Sequence, residues 1–377
     1  MSKVYLHPIG LSASPQAESR GEGPGAIRLG GSMAYASRFA LVVREEGRVV
    51  DRRLFDLAGA AEAIAGLGES HSDALAVEAE RQWLNLQAVH APLQLGTRTI
   101  RLDQPQVMGV LNVTPDSFSD GGAFLDKPEE GRAHAAAMLE AGAALIDIGG
   151  ESTRPGAQPT FEGDEIARVL PAVEYCTQMG AAISIDSRRA GVVEAALEAG
   201  AHMVNDVSAL RYDPRMAELV AKAGCPVVLM HAPGTGEDLH EGGTYGDVVS
   251  EVFDDLAAQR AKAIALGIAA ERICIDPGIG FGKSLTDNLA LLNALPLFHA
   301  LGSPILLGVS RKRMIGALSN EEPAHERLGG SLALAVRGME AGVHLLRVHD
   351  VAETVQARNV WRGLRDAALT DFGSLSA

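Results

Sequence analysis

Short apolar runs recur along residues 107–350, and each run ends in a polar side chain. Stretches rich in alanine and leucine, with apolar positions at helical spacing, separate most of the runs. The runs follow one another at intervals of about 34 residues, which is a suitable length for one strand and one helix. The polar residues at which the runs end are Asn112, Asp147, Asp186, Asn205, His231, Asp276, Ser310 and His349.

Eight such units in succession predict an α/β chain whose main domain, residues 105–366, is a (β/α)8 TIM barrel. The reactive groups of such barrels lie at the carboxyl ends of the strands, so we expect the polar residues to converge on one mouth. Pro171 falls in the middle of the second predicted helix and should kink or break it. The predicted helices cover residues 128–141, 163–179, 189–199, 213–223, 247–266, 286–294, 324–341 and 351–366.

The residues before the barrel predict a small α+β N-terminal extension. Residues 1–36 contain mostly Ser, Gly and Ala after position 11, and we interpret them as a loose or disordered lead-in. Residues 37–92 show a hairpin pattern and then helical patterns, without a catalytic motif, and their role is open. Residues 93–104 predict a second hairpin that caps the bottom of the barrel, and residues 367–377 form a C-terminal tail.

Charge and cysteine content narrow the class of protein. The 377 residues carry a formal net charge of −15, which argues against non-specific nucleic-acid binding. An anionic small molecule stays compatible with this charge, because a local cationic site is enough to bind it. The three cysteines lie in or beside apolar segments, which indicates buried, reduced thiols. No run has the length of a signal peptide core or a membrane span, so we expect a cytoplasmic protein without a membrane partner.

Two loops have a composition that suits ligand binding. Residues 112–122 combine hydroxyls, two carboxylates and a Gly-Gly pair, which fits a loop that folds over a ligand and equally an ordinary capped turn. Residues 149–156 offer backbone N–H groups, two hydroxyls and Arg154 as a cradle for an anion or a polar ligand. A glycine-rich turn of this kind is also common without a ligand.

Acidic and amide side chains end three of the predicted strands. Asp186, Asn205 and Asp276 follow strands three, four and six. Each of them alone could simply cap the next helix. Together at one mouth, the carboxylates and the amide can bind the edge of an amino-pyrimidinone ring, which presents N–H donors and acceptors.

The last two strands end in cationic groups. Ser310-Arg-Lys312 follows strand seven, and Arg347 and His349 share one side of strand eight by strand alternation. The loops after these two strands commonly form the anion site of a TIM barrel enzyme, so we expect a phosphate or pyrophosphate there. The alternative is that these cations pair with carboxylates of nearby helices.

Other basic side chains are interpreted as structural. His202 and His344 lie at strand starts, at the end of the barrel opposite the mouth. Ser187-Arg-Arg189, after strand three, is interpreted as a solvated face.

Seven motifs, in this order, closely resemble the dihydropteroate synthase family over residues 93–366. Any one motif would be weak, but seven in order are highly specific. The motifs are VMGVLNVTPDSFSDGG at 107–122, DIGGESTRPGA at 147–157, ID at 185–186, VNDVSAL at 204–210, DPGIGFGK at 276–283, GVSRKRMIG at 308–316 and RVHDV at 347–351. The resemblance implies a transferase of folate biosynthesis. It joins p-aminobenzoate to 6-hydroxymethyl-7,8-dihydropterin pyrophosphate, giving 7,8-dihydropteroate and pyrophosphate. It further implies a homodimer and competition by sulfonamides for the aminobenzoate site.

The resemblance also implies a role for individual residues. Those implied in pterin binding are Asp186, Asn205, Met230, Asp276, Lys312 and Arg347. Those implied in pyrophosphate binding are Asn112, Thr153, Arg347 and His349, with Asn112 also a ligand of Mg2+. Those implied in aminobenzoate binding are Thr153, Arg154, Pro155, Phe281, Ser310 and Arg313. The catalytic group would be Asn112, Lys312, Arg347 and His349.

The chemistry of these substrates agrees with such a site. Mg2+, Arg347 and His349 would stabilise the charge that develops on the leaving pyrophosphate. The dihydropterin can delocalise positive charge on its methylene group, which favours an SN1-like path. The nucleophile is a neutral aromatic amine, so we expect neither a strong base nor a covalent enzyme intermediate.

Two departures from the family pattern leave alternatives open. Met230-His231-Ala232-Pro233-Gly234 stands where the family usually has Met-His-Met followed by Gln or Arg, so the rim of the pterin pocket can differ. The extension of about 90 residues is too short for the pterin pyrophosphokinase sometimes fused to the family. The alternative functions are a pterin-dependent methyltransferase, which would have less reason to keep the anion motifs, and an inactive pterin-binding regulator.

Overall fold

The extension is built on an antiparallel sheet with two helices. A computed structural model describes residues 2–14, 25–114, 128–153, 156 and 159–369. The elements of the extension are β1 (Ser2–Ser12), β2 (Ile27–Arg28), β3 (Tyr35–Glu45), β4 (Arg48–Asp56), α1 (Ala60–Ser70) and α2 (Asp73–Leu86). Strand β3 is central and pairs antiparallel with β1, β2 and β4. The hairpin predicted from the sequence is therefore present as β3 and β4.

The predicted loose lead-in over residues 1–36 is wrong for residues 27–36, which contain β2 and the start of β3, and for β1. This strand is fixed by distant partners, because the buried side chain of Gln82 in α2 bonds to its backbone. Gln82 Oε1 accepts from the Leu6 N–H at 2.8 Å, and Gln82 Nε2 donates to the Val4 carbonyl at 2.8 Å. Residues 15–24 of the lead-in lie outside the described residues.

A short hairpin leads into eight parallel strands. The hairpin consists of β5 (Leu93–Leu95) and β6 (Arg98–Ile100). The parallel strands are β7 (Gln106–Asn112), β8 (Leu145–Gly149), β9 (Ile183–Asp186), β10 (Met203–Asp206), β11 (Val227–Met230), β12 (Ile273–Asp276), β13 (Leu306–Gly308) and β14 (Leu345–Val348). Strands β7 to β12 pair in chain order, β14 joins β7 to β13, and a parallel bridge between Ile275 and Ile305 connects β12 to the start of β13. The sheet thus closes into the predicted TIM barrel.

Helices follow each barrel strand. They are α3 (Pro128–Glu140), α4 (Glu162–Gln178), α5 (Ala190–Glu198), α6 (Met216–Ala223), α7 (Val248–Ala265), α8 (Leu285–Asn293), α9 (Arg313–Leu318), α10 (Leu328–Glu340) and α11 (Val351–Leu369). Helix α4 continues past Pro171 without a break. Pro171 lies on its exposed side while Val169 and Val173 are buried, so tertiary packing overrides the local effect of proline. In the described part of the chain, no helix has the length and apolar character needed to cross a membrane.

The bottom of the barrel is closed by apolar packing. Leu95 and Ile100 of the β5–β6 hairpin belong to one buried cluster with barrel residues that include Met108, Leu145 and Met203. The hairpin therefore covers the amino ends of the strands, as its position in the sequence predicts.

Buried histidines join the extension to this end of the barrel. His344 Nδ1 accepts from the Ile305 N–H at 2.9 Å, and its Nε2 lies 2.9 Å from the Gly30 carbonyl. The rings of His90 and His299 lie 5.1 and 5.5 Å from that of His344. His344 is therefore structural, as predicted. We refer to His90, His299 and His344 as the histidine cluster.

His202 is also structural, because its Nδ1 accepts from the Ile183 N–H at 3.2 Å.

The extension also contacts helix α7. Tyr5 donates its hydroxyl to Asp254 at 2.9 Å, and Lys3 forms an ion pair with the same carboxylate at 2.6 Å. Arg44 of β3 pairs with Asp247, the residue that caps the amino end of α7. The first turns of α7 are therefore held by three side chains of the extension.

Candidate active site

A cavity of about 910 Å3 lies at the carboxyl ends of the barrel strands. The structure brings together at this cavity every predicted site residue that it describes. These are Asn112, Thr153, Asp186, Asn205, Met230, Asp276, Phe281, Ser310, Lys312, Arg313, Arg347 and His349. Arg154 and Pro155 lie outside the described residues.

Arg347 is at the centre of a buried ionic network. Its Nε donates to Asp147 and its terminal nitrogen donates to Asp186, both at 2.6 Å. Asn205 Nδ2 donates to the same oxygen of Asp147 at 3.1 Å. Burial raises the pKa of Asp186, and the charge of Arg347 opposes that rise. The network holds one amide and one carboxylate towards the cavity.

Asp147 departs from the predicted convergence of the strand-end residues on the mouth. Its side chain is fully buried behind Arg347 and does not line the cavity. Its Oδ1 has no hydrogen-bond partner among the described residues. The sequence did contain a signal for its burial, namely a carboxylate inside an otherwise apolar strand. Such a group requires a partner when it is buried.

His231 departs from the predicted convergence on the mouth. Its ring approaches Asp255 of α7 at 4.0 Å, and burial lowers its pKa. The preceding residue, Met230, lines the cavity instead. Neighbouring side chains of a strand point to opposite faces, so only one of the two can face the mouth.

Asp276 and Lys312 line the cavity with opposite charges. Asp276 accepts from the Gly278 N–H at 2.7 Å, and burial raises the pKa of its carboxyl to about 6. Lys312 Nζ lies 4.3 Å from the centre of the Phe281 ring, and burial lowers the pKa of this amine to about 8. The backbone at Gly280 has a positive φ of 85°, and a Cβ there would lie only 3.1 Å from Lys312 Cδ.

Lys283 fixes the turn between β12 and α8. Its Nζ donates to the carbonyls of Gly278, Phe281 and His231 at 2.8, 3.1 and 3.3 Å. Burial lowers the pKa of this amine to about 7. In the sequence Lys283 appears only as the last residue of the motif at 276–283. Its contacts with three carbonyls depend on the backbone geometry, which the motif does not show.

His349 and Ser310 are arranged beside each other on the last two strands. His349 Nδ1 lies 3.1 Å from Ser310 Oγ, and the His349 N–H donates to the same oxygen at 3.2 Å. Arg311 instead pairs with Asp350, with its Nε 3.0 Å from Oδ2. The cations that line the cavity at this side include Lys312 and Arg347.

The predicted solvated face at residues 187–189 is wrong. Arg188 and Arg189 are only 4% and 7% exposed. Arg189 pairs with Glu151 at 2.8 Å and with Glu165 at 2.7 Å, and Arg188 pairs with Glu151 at 3.2 Å. The carboxylate partners come from the loop after β8 and from α4, so the sequence around 187–189 carries no sign of this burial.

An amide oxygen at the mouth fits the magnesium prediction. A Cβ added at Gly149 would lie 3.3 Å from Asn112 Oδ1 and 3.6 Å from Asp186 Oδ2, so both oxygens flank one spot. The described residues contain no group of three or more His, Cys, Asp or Glu placed to hold a metal. Mg2+ often takes one or two protein oxygens and completes its shell with substrate phosphates, so Asn112 suits a metal that arrives with a pyrophosphate.

Comparisons with known proteins agree with this geometry. The family model of pterin binding enzymes matches residues 108–349. The dihydropteroate synthase of Escherichia coli K12 is 46% identical over 263 residues, which cover 70% of this chain and 92% of the relative.

Two solved structures are similar to this chain. One is the Xanthomonas albilineans dihydropteroate synthase with 4-aminobenzoic acid, with a TM-score of 0.68 and 45% identity over 74% of this chain and 99% of the other. The second is the Yersinia pestis dihydropteroate synthase with a sulfonamide drug, with a TM-score of 0.69 and 42% identity over 73% of this chain and 99% of the other. The chain therefore belongs to the pterin-binding enzyme family. Within that family it is a member of the dihydropteroate synthases.

Proposed function

We propose that this chain joins p-aminobenzoate to 6-hydroxymethyl-7,8-dihydropterin pyrophosphate and releases pyrophosphate and 7,8-dihydropteroate, a step of folate biosynthesis. The observation that carries the proposal is the position of Arg347. It is bound to Asp147 and Asp186 at 2.6 Å each and lines the same cavity as Asn205, Asp276 and Lys312.

The pterin ring is held by its polar edge. Asp186 and Asp276 accept from ring N–H and exocyclic amine groups, and Asn205 both donates and accepts. Met230 supplies an apolar contact, and Lys312 donates to a ring acceptor. The two carboxylates favour the electron-poor pterin that forms when the pyrophosphate leaves.

The pyrophosphate lies at the end of the cavity that β7, β13 and β14 form. Arg347 and His349 donate to its oxygens and stabilise the negative charge as the C–O bond breaks. Thr153 and Asn112 contact the same group from the other side. Asn112 would hold Mg2+ through its amide oxygen, and the bound ion would supply further neutralisation of the leaving charge.

The aminobenzoate approaches from the rim. Thr153, Phe281, Ser310 and Arg313 frame its site, together with Arg154 and Pro155. Its neutral amine attacks the electron-poor methylene and then loses a proton, so no strong base and no covalent enzyme intermediate are needed. Sulfonamides present a similar aryl amine and compete for this position.

A homodimer and a cytoplasmic location belong to the same proposal. The family resemblance supports the homodimer. The buried, free thiols of Cys176, Cys225 and Cys274 support a reducing compartment.

The test is pyrophosphate release by the purified chain with dihydropterin pyrophosphate and Mg2+, with and without p-aminobenzoate. We expect release that depends on the amine and yields dihydropteroate in equal amount. Binding of the pterin substrate without amine-dependent product would contradict the proposal and favour methyl transfer or a regulatory role.

A further inference from the structure

The loop that follows β11, residues 232–247, reaches across the rim of the cavity and places His240 against Phe281. The two rings are stacked, with their centres 5.3 Å apart and their planes 9° from parallel. His240 Nε2 lies 3.0 Å from the Thr153 carbonyl, and the Gly282 N–H lies 3.1 Å from His240 Nδ1. This imidazole therefore contacts the loop after β8 and the loop after β12 at the same time.

The hydrogen bonds fix the tautomer of the ring. A backbone N–H can only donate, so His240 Nδ1 is the unprotonated acceptor of the bond from Gly282. A carbonyl can only accept, so Nε2 carries the proton and donates to Thr153. The tautomer with its proton on Nε2 therefore satisfies both neighbours.

The loop that carries His240 is itself anchored. Arg188 donates to the carbonyls of Gly236 and Glu237 at 2.8 and 3.2 Å. A Cβ at Gly243 would lie 1.7 Å from the Gly282 carbonyl oxygen, so the loop approaches the β12 loop as closely as glycine allows. The backbone that carries His240 is thus held in place by the neighbouring loops at the rim of the cavity.

We propose that His240 is a positioning residue for the aminobenzoate. It acts through Phe281 and Thr153, which frame that substrate in the function proposed above, and the inference rests on that function. The stacked ring fixes the orientation of the Phe281 ring, and the hydrogen bond to the carbonyl fixes the position of the Thr153 backbone. Together they hold in place the residues that the aryl amine contacts.

This arrangement separates the two substrates. No hydrogen bond joins His240 to Asp186, Asn205 or Asp276 among the described contacts, so the pterin edge is held independently. Loss of the His240 contacts should therefore weaken binding of aminobenzoate and of a sulfonamide while the pterin site keeps its affinity. A residue that only stabilised the fold would affect both substrates alike.

Two variants of His240 divide its contacts. His240→Phe keeps a stacked ring and loses both hydrogen bonds, whereas His240→Gln can accept from Gly282 and donate to Thr153 without a ring. Glu241→Gln is the matched control, because Glu241 is the exposed neighbour in the same loop. The measurements are the KM of each substrate and the inhibition constant of a sulfonamide, with the melting temperature as a check of folding.

We expect His240→Phe to raise the KM for p-aminobenzoate and the sulfonamide inhibition constant by roughly tenfold, the loss typical of a hydrogen bond or two. The KM for dihydropterin pyrophosphate should stay within about twofold, and His240→Gln should recover most of the aminobenzoate affinity by restoring the hydrogen bonds. Glu241→Gln should behave as the unmodified chain.

An unchanged KM for p-aminobenzoate in His240→Phe would overturn the proposal, and so would an equal rise in both KM values. Failure of the proposed function looks different, since the unmodified chain would then show no amine-dependent release of pyrophosphate.

Discussion

At the scale of single residues, Asp147 orients two of the polar side chains of the site. One of its oxygens accepts hydrogen bonds from both Arg347 at 2.6 Å and Asn205 at 3.1 Å. It never meets the cavity, yet the direction of the guanidinium and of the amide depends on it. A buried carboxylate of this kind orders the groups that touch the substrate.

Substitution Asp147→Asn should therefore impair the pterin site. It leaves Arg347, whose side chain is 22% exposed, with one carboxylate partner, and it removes the charge that orients the guanidinium. We expect kcat/KM for dihydropterin pyrophosphate to fall by roughly ten- to a hundredfold, as is typical when a group that orients a site residue is removed. Asp103→Asn, at an exposed pair with Arg101, is the control and should leave kcat/KM unchanged. Wild-type pterin affinity in Asp147→Asn would remove Asp147 from this role.

The pKa of Asp276 predicts how pterin binding depends on pH. Burial raises it to about 6, and only the ionised carboxylate, present above that pH, accepts from the pterin N–H groups. Affinity should therefore fall by about tenfold per unit as pH drops below about 6. Equilibrium binding of a hydroxymethylpterin without pyrophosphate, between pH 5 and 7, measures this without titration of the phosphates. Asp276→Asn should bind weakly at every pH and show a smaller slope, because Asp186, whose pKa is also raised by burial, still titrates. An unchanged slope would assign the whole pH dependence to another group.

At the scale of elements, the pair of Arg189 and Glu165 joins α5 to α4. Glu165 is fully buried, and Arg189 lies 2.7 Å from it. The ionic contact replaces part of the apolar packing that usually holds neighbouring helices of a barrel.

We expect Arg189→Met to lower the free energy of unfolding by about 3–5 kcal/mol, because a buried carboxylate loses its cation. The double variant Arg189→Met, Glu165→Leu should recover much of this loss, since apolar residues can replace a buried pair. Urea unfolding measures both, and Arg215→Met at an exposed ion pair is the control. A double variant as unstable as the single one would contradict the account.

The sequence predicted the elements of the barrel well, because their signals are local. Apolar runs ended by a polar residue mark the strands, and the helix from 351 onward, for example, appears as Val351–Leu369. The polar residues at strand ends, such as Asp186 and Asp276, followed from the same pattern, since strand ends of a barrel share one mouth.

What the sequence could not predict depends on contacts between distant residues. Strand β1 needs Gln82, and the burial of Arg189 needs Glu165 from another helix. The task of Asp147 needs Arg347, 200 positions along the chain. The composition near a residue does not indicate such distant partners. For this reason residues 187–189 were predicted to be solvated, although they are buried.

At the scale of the whole molecule, the histidine cluster links the extension and the barrel in a neutral form. Burial lowers the pKa of His90 and of His299 to about 4, and lowers that of His344 as well. In an unfolded chain these groups titrate near 6.5. The unfolded state therefore binds more protons than the folded one between about pH 6.5 and 4, and stability falls as pH drops through this window.

We expect the free energy of unfolding to fall by up to about 1.4 kcal/mol per pH unit for each histidine of the cluster. Urea unfolding at pH 7, 5.5 and 4.5 measures the slope. His90→Gln should reduce it by about one proton's worth, whereas His325→Gln, at an exposed position, should not. An equal slope in His90→Gln would show that other groups set the acid limit.

The contacts of the extension with α7 and the histidine cluster also affect when the chain can fold during translation. Strand β1 leaves the ribosome before the barrel, and Asp254, His299 and His344, which complete its side of the molecule, are synthesised more than two hundred residues later. Nascent chains fold from the amino end as they emerge, so the barrel-facing side of this sheet stays uncovered during most of translation. This strand is thus synthesised before the barrel but is among the last elements to gain all of its contacts.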